Sequence, residues 1–150
     1  MSGRASINIR LARPEERLAL EQLQRRASLA LDDYREQLEE NPDAIELPVE
    51  QIDRGEAIVA EIDGQVAGFA VILGEQGRAE LDGLFVEPEH WRQGVGKALI
   101  EAATHEARRR GLSLLTVVAN PAAREFYERC GFIIEGETET RFGPALWMSR

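Results

Sequence analysis

Between Ala57 and Val86 the chain sets three apolar runs in close succession: Ala57 to Ile62, Gln65 to Leu73 and Ala79 to Val86. The first gap is Asp63-Gly64, a pair strongly favoured in two-residue hairpin turns, and the second is Glu75-Gln76-Gly77. Connections this short only let a strand fold back beside its predecessor, so the stretch predicts an antiparallel meander of three strands. Gly83 falls inside the third strand. A glycine there weakens pairing and predicts a bulge or a close backbone approach.

After Glu87-Pro88 the period changes from two to 3.6. Gly94 to Arg110 reads as a helix with Leu99, Ala102, Ala103 and Ala107 on one stripe, stopped by Gly111. Leu114 to Val118 predicts a buried strand. Asn120-Pro121 reads as an N-cap followed by a proline at the first helical position. Ala123, Phe126, Tyr127 and Cys130 then keep the spacing of a buried helix face up to Gly131, and Phe132 to Glu135 and Leu146 to Ser149 supply the last strands. Upstream, Ile7 to Leu11 alternates as a strand, and Pro14-Glu15-Glu16 opens a helix whose stripe is Leu18, Leu23 and Ala27. A second helix is expected over Leu31 to Leu38, ended by Asn41-Pro42. The order βαα-βββ-α-β-α-ββ predicts an α/β domain: a mixed, mostly antiparallel sheet of about seven strands with helices on both faces.

Composition narrows the function classes. The 150 residues are 43% hydrophobic and 30% charged, which suits one globular domain with its own core. No apolar stretch approaches the length of a membrane span and Met1 to Arg10 lacks an apolar leader core, so the expectation is a cytoplasmic protein without a membrane partner. Cys130 stands alone, and His90 and His105 are the only histidines, so neither a disulfide nor a metal site is expected. The net charge of −9 argues against nucleic acid as a partner. That charge is uneven: Met1 to Glu89 carries 9 Arg against 20 Asp and Glu, whereas His90 to Arg150 carries 9 Lys and Arg against 7 Glu. Ten carboxylates crowd Ser28 to Glu56, where they form either a solvated face or a surface that attracts a cation.

The chemistry concentrates between Glu80 and Phe132. Leu84-Phe85-Val86 leads into His90-Trp91-Arg92-Gln93-Gly94-Val95-Gly96-Lys97, which opens the long helix. Such a junction leaves main-chain amides unpaired at the positive end of the helix dipole, where a phosphate satisfies them. Gly94 and Gly96 allow close approach, and Lys97, the only lysine, adds charge in a first turn that would otherwise favour an acid. Taken alone, a Gly-Val-Gly turn also reads as a plain loop. It is not a Walker A loop, because the first glycine would fall on Trp91 and Ala98 replaces Ser or Thr. It is not the dinucleotide fingerprint either, because Leu99 stands at the third glycine.

Leu84-Phe85-Val86, Arg92-Gln93-Gly94-Val95-Gly96-Lys97-Ala98-Leu99, Ala119-Asn120-Pro121 and Phe126-Tyr127-Glu128-Arg129-Cys130-Gly131-Phe132, in this order and spacing, resemble the GNAT superfamily of acyl-CoA-dependent N-acyltransferases. The resemblance implies a single N-acetyltransferase domain over residues 1–150, with a splayed central strand pair and acetyl-CoA as co-substrate. It implies that the pyrophosphate lies on the loop Arg92, Gln93, Gly94, Val95, Gly96, Lys97 and Ala98. The pantetheine would lie beside Leu84, Phe85 and Val86, with Asn120 bonded to it and Phe126 in the same cofactor region. One departure stands out: Trp91 occupies the place of the family's Arg or Gln, and Arg92 next to it is the substitute.

The resemblance also makes Tyr127 the acid that protonates the departing thiolate, whereas spacing alone makes it a core aromatic. An alkyl amine with a pKa near 10 is neutral in only about one part in a thousand at pH 7, a deficit of roughly 4 kcal/mol, so a base is needed. Glu80 and Asp82 lie two apart on one strand and share a face. Glu80 stands where several relatives carry the base; Asp82 is the alternate base or a substrate contact, and a solvated strand face is the other reading of both. The acceptor implied is a small-molecule or peptide amine, with a cationic one favoured by the acidic N-terminal half. A homodimer is compatible with this reading. A non-catalytic acyl-CoA-binding or sensing module is the alternative function.

Overall fold

The computed structural model describes residues 6–30, 47–75, 77–140 and 143–150. The expected helix over Leu31 to Leu38, the Asn41-Pro42 break and most of the acidic run lie outside the described residues. Strand β1 is Ile7–Leu11. A 3-10 turn, Pro14–Glu16, leads into helix α1, Arg17–Leu29, and Arg10 forks onto Glu16 at 2.9 and 2.8 Å, tying strand to turn. The buried stripe of α1 is Leu20, Leu23 and Ala27, while Leu18 is 62% exposed, so the sequence stripe was one residue off at its start. Leu20, Leu23 and Ala27 keep the three and four spacing of one helix face, which Leu18, five residues before Leu23, does not. A short helix α2 follows at Val49–Asp53.

The meander forms as its turn chemistry dictates. Strand β2 is Ala57–Ile62, β3 is Gln65–Glu75 and β4 is Arg78–Val86. Asp63 and Gly64 both take positive φ, 53° and 78°, the two left-handed residues that a tight hairpin turn requires. Register shifts fall between Ala60 and Glu61 in the β2–β3 ladder and between Ile134 and Gly136 in the ladder of the last two strands. Gly83 answers to something other than backbone proximity: a Cβ there would meet the Phe85 ring at 2.7 Å. The close backbone approach is at Gly68, where a Cβ would stand 2.8 Å from the Phe85 carbonyl oxygen. Gly68, a glycine in the interior of β3, was the available signal for it.

Helix α3 is Val95–Arg109, strand β5 is Leu115–Ala119, helix α4 is Arg124–Arg129 after a 3-10 turn, and β6 and β7 are Ile133–Thr140 and Gly143–Ser149. The seven strands run in the order β1-β2-β3-β4-β5-β7-β6. Strands β4 and β5 pair in parallel, through Ala79↔Leu115, Glu80↔Thr116 and Leu81↔Val117. That ladder stops at Val117 although β5 continues to Ala119, paired there with β7 alone.

The chain divides into two compact units, Met1–Val71 with Gly83–Leu99, and Ile72–Asp82 with Ile100–Arg150. In the first unit Val59, Ala60, Phe69 and Leu99 are fully buried, each large side chain contributing about 1.5–3 kcal/mol. In the second, Ala79, Leu81, Leu115, Val117 and Met148 form one apolar face. Strand β5 departs from the expected buried run at both ends: Leu114 and Val118 are exposed, so the sheet face that carries Val118 is open there. Among the described residues no helix is long and apolar enough to cross a membrane.

Candidate functional site

The first unit holds the junction between β4 and α3. Pro88–His90 forms one 3-10 turn, with His90 N–H donating to the Glu87 carbonyl at 2.8 Å. Arg92 then takes φ 66° and Gly94 φ 86°. Left-handed residues flanking Gln93 turn successive amides toward one side, the concave arrangement that accepts anions. For Arg92 this conformation costs about 1 kcal/mol or more, and a non-glycine residue held there is often functional. Ala98 N–H donates to Gly94 O at 3.0 Å, the first ladder bond of α3, so helix geometry leaves the preceding amides without an acceptor inside the helix. The first turn of α3 contains no acid.

Side chains brace this loop. Gln93 donates to the Glu89 carbonyl at 3.2 Å and meets His90 Nδ1 at 3.1 Å, so it serves the loop itself. Trp91 Nε1–H donates to the Val86 carbonyl at 2.8 Å, joining the loop to the end of β4. The sequence treated Trp91 only as a departure; spacing carries no signal for an indole reaching back five residues. Arg92, Gln93, Gly94 and Lys97 are exposed, while Val95 is buried and anchors the helix start. Glu87 N–H donates to Ala67 O at 2.8 Å, so Glu87 faces β3; by strand alternation the main-chain groups of Leu84 and Val86 point the opposite way.

The second unit holds the acid–base candidates. Arg78, Glu80 and Asp82 alternate with the buried Ala79 and Leu81, which puts both carboxylates on one face as their spacing predicts. Desolvation by the surrounding protein raises the Asp82 carboxyl above the usual range, although the side chain keeps solvent access. At the β5 to α4 junction Asn120 Oδ1 accepts from Ala122 N–H at 3.0 Å, capping the turn, with Pro121 next to it. Its Nδ2 is buried and, among the described residues, has no hydrogen-bond partner. The cap expected from sequence therefore forms, and the amide nitrogen is left for something else.

Tyr127 is buried, with its ring edge-on to Phe126 at 5.1 Å and Phe132 at 5.3 Å. Burial, with a contribution from nearby Cys130, pushes its hydroxyl well above the ordinary phenol pKa. Gly131, at φ 91°, ends α4 with Phe132 N–H donating to Tyr127 O at 3.0 Å, a closure that holds the Phe132 ring near Tyr127. Cys130 is buried and forms no disulfide.

A family model described as "Acetyltransferase (GNAT) family" matches residues 20–132. The chain is 34% identical over 139 residues to the peptidyl-lysine N-acetyltransferase YjaB of Salmonella typhimurium, covering 89% of this chain and 88% of that protein. In three dimensions it is similar to the PaiA N-acetyltransferase of Thermoplasma acidophilum in complex with coenzyme A, with a TM-score of 0.79 over 97% of this chain and 98% of that one at 22% identity. It is similar also to apo YjaB from Escherichia coli, with a TM-score of 0.75 over 96% and 97% at 27% identity. The chain spans 37% of an uncharacterized N-acetyltransferase of Methanocaldococcus jannaschii and 65% of the 5-NmdU N-acetyltransferase of Pseudomonas phage PaMx11, under two thirds of either.

Proposed function

Because the chain belongs to the acetyltransferase (GNAT) family, we propose that it moves an acetyl group from acetyl-CoA to a primary amine, with residues 1–150 acting as one N-acetyltransferase domain. The observation that carries this reading is the β4 to α3 junction, where Arg92 and Gly94 adopt left-handed backbone ahead of a helix with no acid in its first turn. That junction suits a pyrophosphate, and the orphaned Nδ2 of Asn120 suits an amide carbonyl such as pantetheine carries.

Acetyl-CoA supplies an activated acyl carbon. The loop Arg92 to Ala98 holds the phosphates through main-chain amides, with Arg92 and Lys97 adding charge. Leu84 and Val86 offer main-chain groups that face away from β3, and Trp91 fixes the Val86 carbonyl from the loop side. Glu80 or Asp82 takes the proton that the amine loses as it attacks. A raised carboxyl pKa makes Asp82 a stronger base than a solvated aspartate and keeps it protonated up to a higher pH. Activity through Asp82 would rise with pH along a limb lying above that of a solvated aspartate; Asp82→Asn would erase that limb and Glu80→Gln would leave it in place, whereas the reverse outcome would make Glu80 the base.

Tyr127 keeps its proton at neutral pH, so its hydroxyl acts only as a donor toward the departing sulfur. Because its pKa is raised, a strong hydrogen bond to the developing thiolate costs less than complete proton transfer. The test is calorimetry with coenzyme A followed by thiol-release kinetics. Tyr127→Phe should retain coenzyme A binding and lose about 100-fold in kcat. Undetectable coenzyme A binding by the wild-type protein would refute the reading, and unchanged turnover in Tyr127→Phe would remove the tyrosine from it.

A further inference from the structure

The sheet face that bears Glu80 and Asp82 continues onto β5 and β7. Glu80 pairs with Thr116 and Thr116 with Ser149; one step along, Val118 pairs with Trp147. Asp82, one residue past the last β4–β5 pair, shares the Glu80 face, so Asp82, Val118 and Trp147 follow one another across three neighbouring strands. Paired-strand spacing would set Asp82 and Trp147 about 10 Å apart along that row, and the end of the β4–β5 ladder at Leu81 makes this a lower bound. Val118 is 44% exposed and Trp147 40% exposed, leaving an apolar floor between a carboxylate and an indole.

The indole already carries a cation: Arg78 Cζ lies 5.9 Å from its ring centroid, within the range where a guanidinium is attracted to an aromatic face. Charge on this face is also one-sided. Ser149 Oγ donates to Glu135 Oε1 at 2.6 Å, which places Glu135 on the same side, so among the described residues Glu80, Asp82 and Glu135 share this face with the guanidinium of Arg78. An apolar strip of this length, ending in a carboxylate at one side and a cation-accepting ring at the other, matches an alkyl chain with nitrogen at both ends.

We propose that this face selects a free alkyl diamine as acetyl acceptor, with one nitrogen at Asp82, the methylenes over Val118 and the second nitrogen, still charged, on the ring of Trp147. The proposal rests on the acetyltransferase reading above, since it assigns the acceptor of that reaction. Trp147 is then a specificity-determining residue, and Arg78 competes with the substrate's distal ammonium for the ring.

The experiment compares cadaverine with pentylamine, which has the same carbon chain and one nitrogen, by calorimetry with and without saturating coenzyme A. The wild-type protein should bind cadaverine about tenfold more tightly than pentylamine, and a lysine blocked at its backbone amine and carboxyl should behave like pentylamine. Trp147→Leu should remove most of that tenfold preference, Trp147→Phe should keep part of it, and Arg78→Gln should raise it. Thermal unfolding midpoints of the variants establish that they are folded. Equal affinity for the two amines in the wild type, tighter binding of the blocked lysine than of cadaverine, or an unchanged preference in Trp147→Leu would overturn the proposal. Failure of the acetyltransferase reading shows separately, as absent coenzyme A binding, and the titrations without coenzyme A still decide the role of Trp147.

Discussion

The two strand-to-helix junctions of this chain solve one physical problem in opposite ways. At the β5 to α4 junction Asn120 caps the turn with its own side chain, Pro121 removes one amide that would need an acceptor, and Glu125 places an acid in the first turn of α4. That helix start meets its needs from within. The β4 to α3 junction has no acid in the first turn of its helix, carries Lys97 there, and holds Arg92 and Gly94 in left-handed backbone. One junction is finished by local sequence; the other is shaped for an anion from outside.

The sharpest way to break the contrast is Gly94→Val. A β-branched residue at φ 86° is strained even though a Cβ there meets nothing within 4 Å, so the variant should lose about 1–2 kcal/mol of stability. Its coenzyme A affinity should fall by more than tenfold, read by calorimetry beside thermal unfolding. A variant that binds as the wild type does would detach the loop's shape from ligand binding. At the self-capped junction, Asn120→Ala should cost about 1 kcal/mol through the lost cap, while Asn120→Ser should hold stability to within about 0.5 kcal/mol. Both remove Nδ2, so both should weaken coenzyme A binding several-fold; unchanged affinity in Asn120→Ser would reduce Asn120 to a cap.

A subtler test is Arg92→Gly. It relieves left-handed strain but adds chain entropy to the unfolded state, so stability should stay level or rise by up to about 1 kcal/mol. Coenzyme A affinity should drop, and its salt dependence should become shallower, if the guanidinium meets phosphate. The smallest effect lies at the far end of α3, where Arg109, then Arg110, hold the Glu106 carboxyl down to about 2. A depressed folded-state pKa contributes stability above the ordinary carboxylate range, and this is lost as pH falls from about 4.5 through about 2. Because the cluster is largely solvent-exposed, Glu106→Gln should flatten acid unfolding over that window by only a few tenths of a kcal/mol.

How much of this was readable in advance varies with the range of the interaction. The β2–β3 hairpin forms where Asp63-Gly64 said it would, and α3 begins and ends within one residue of its predicted limits, because turn chemistry and helix period are properties of neighbouring residues. The buried side of α1 includes Leu20 in place of Leu18, since Leu20 stands three residues before Leu23 and Leu18 stands five before it. At Gly83 the near neighbour is the Phe85 ring, and a close backbone approach occurs at Gly68. Glu80 and Asp82 were legible as a pair through strand alternation, but the rise in the Asp82 pKa depends on protein packed around it from elsewhere in the chain.

The sequence alone determined the succession of the seven strands and of helices α1, α3 and α4, though not the short helix α2; it also determined the glycine-bearing entry to the long helix, the asparagine cap with its proline, and the shared face of the two β4 carboxylates. Each follows from steric limits on φ or from the periods of strand and helix, which act over a few residues. Tertiary structure alone decided that the Trp91 indole would take up the Val86 carbonyl, that Asn120 would keep a buried donor without a partner, and that Val118 and Trp147 would lie side by side on an open sheet face. Those outcomes depend on where strands and side chains from separate parts of the chain come to rest. Burial and pairing are set by that packing and cannot be read from neighbours along the chain.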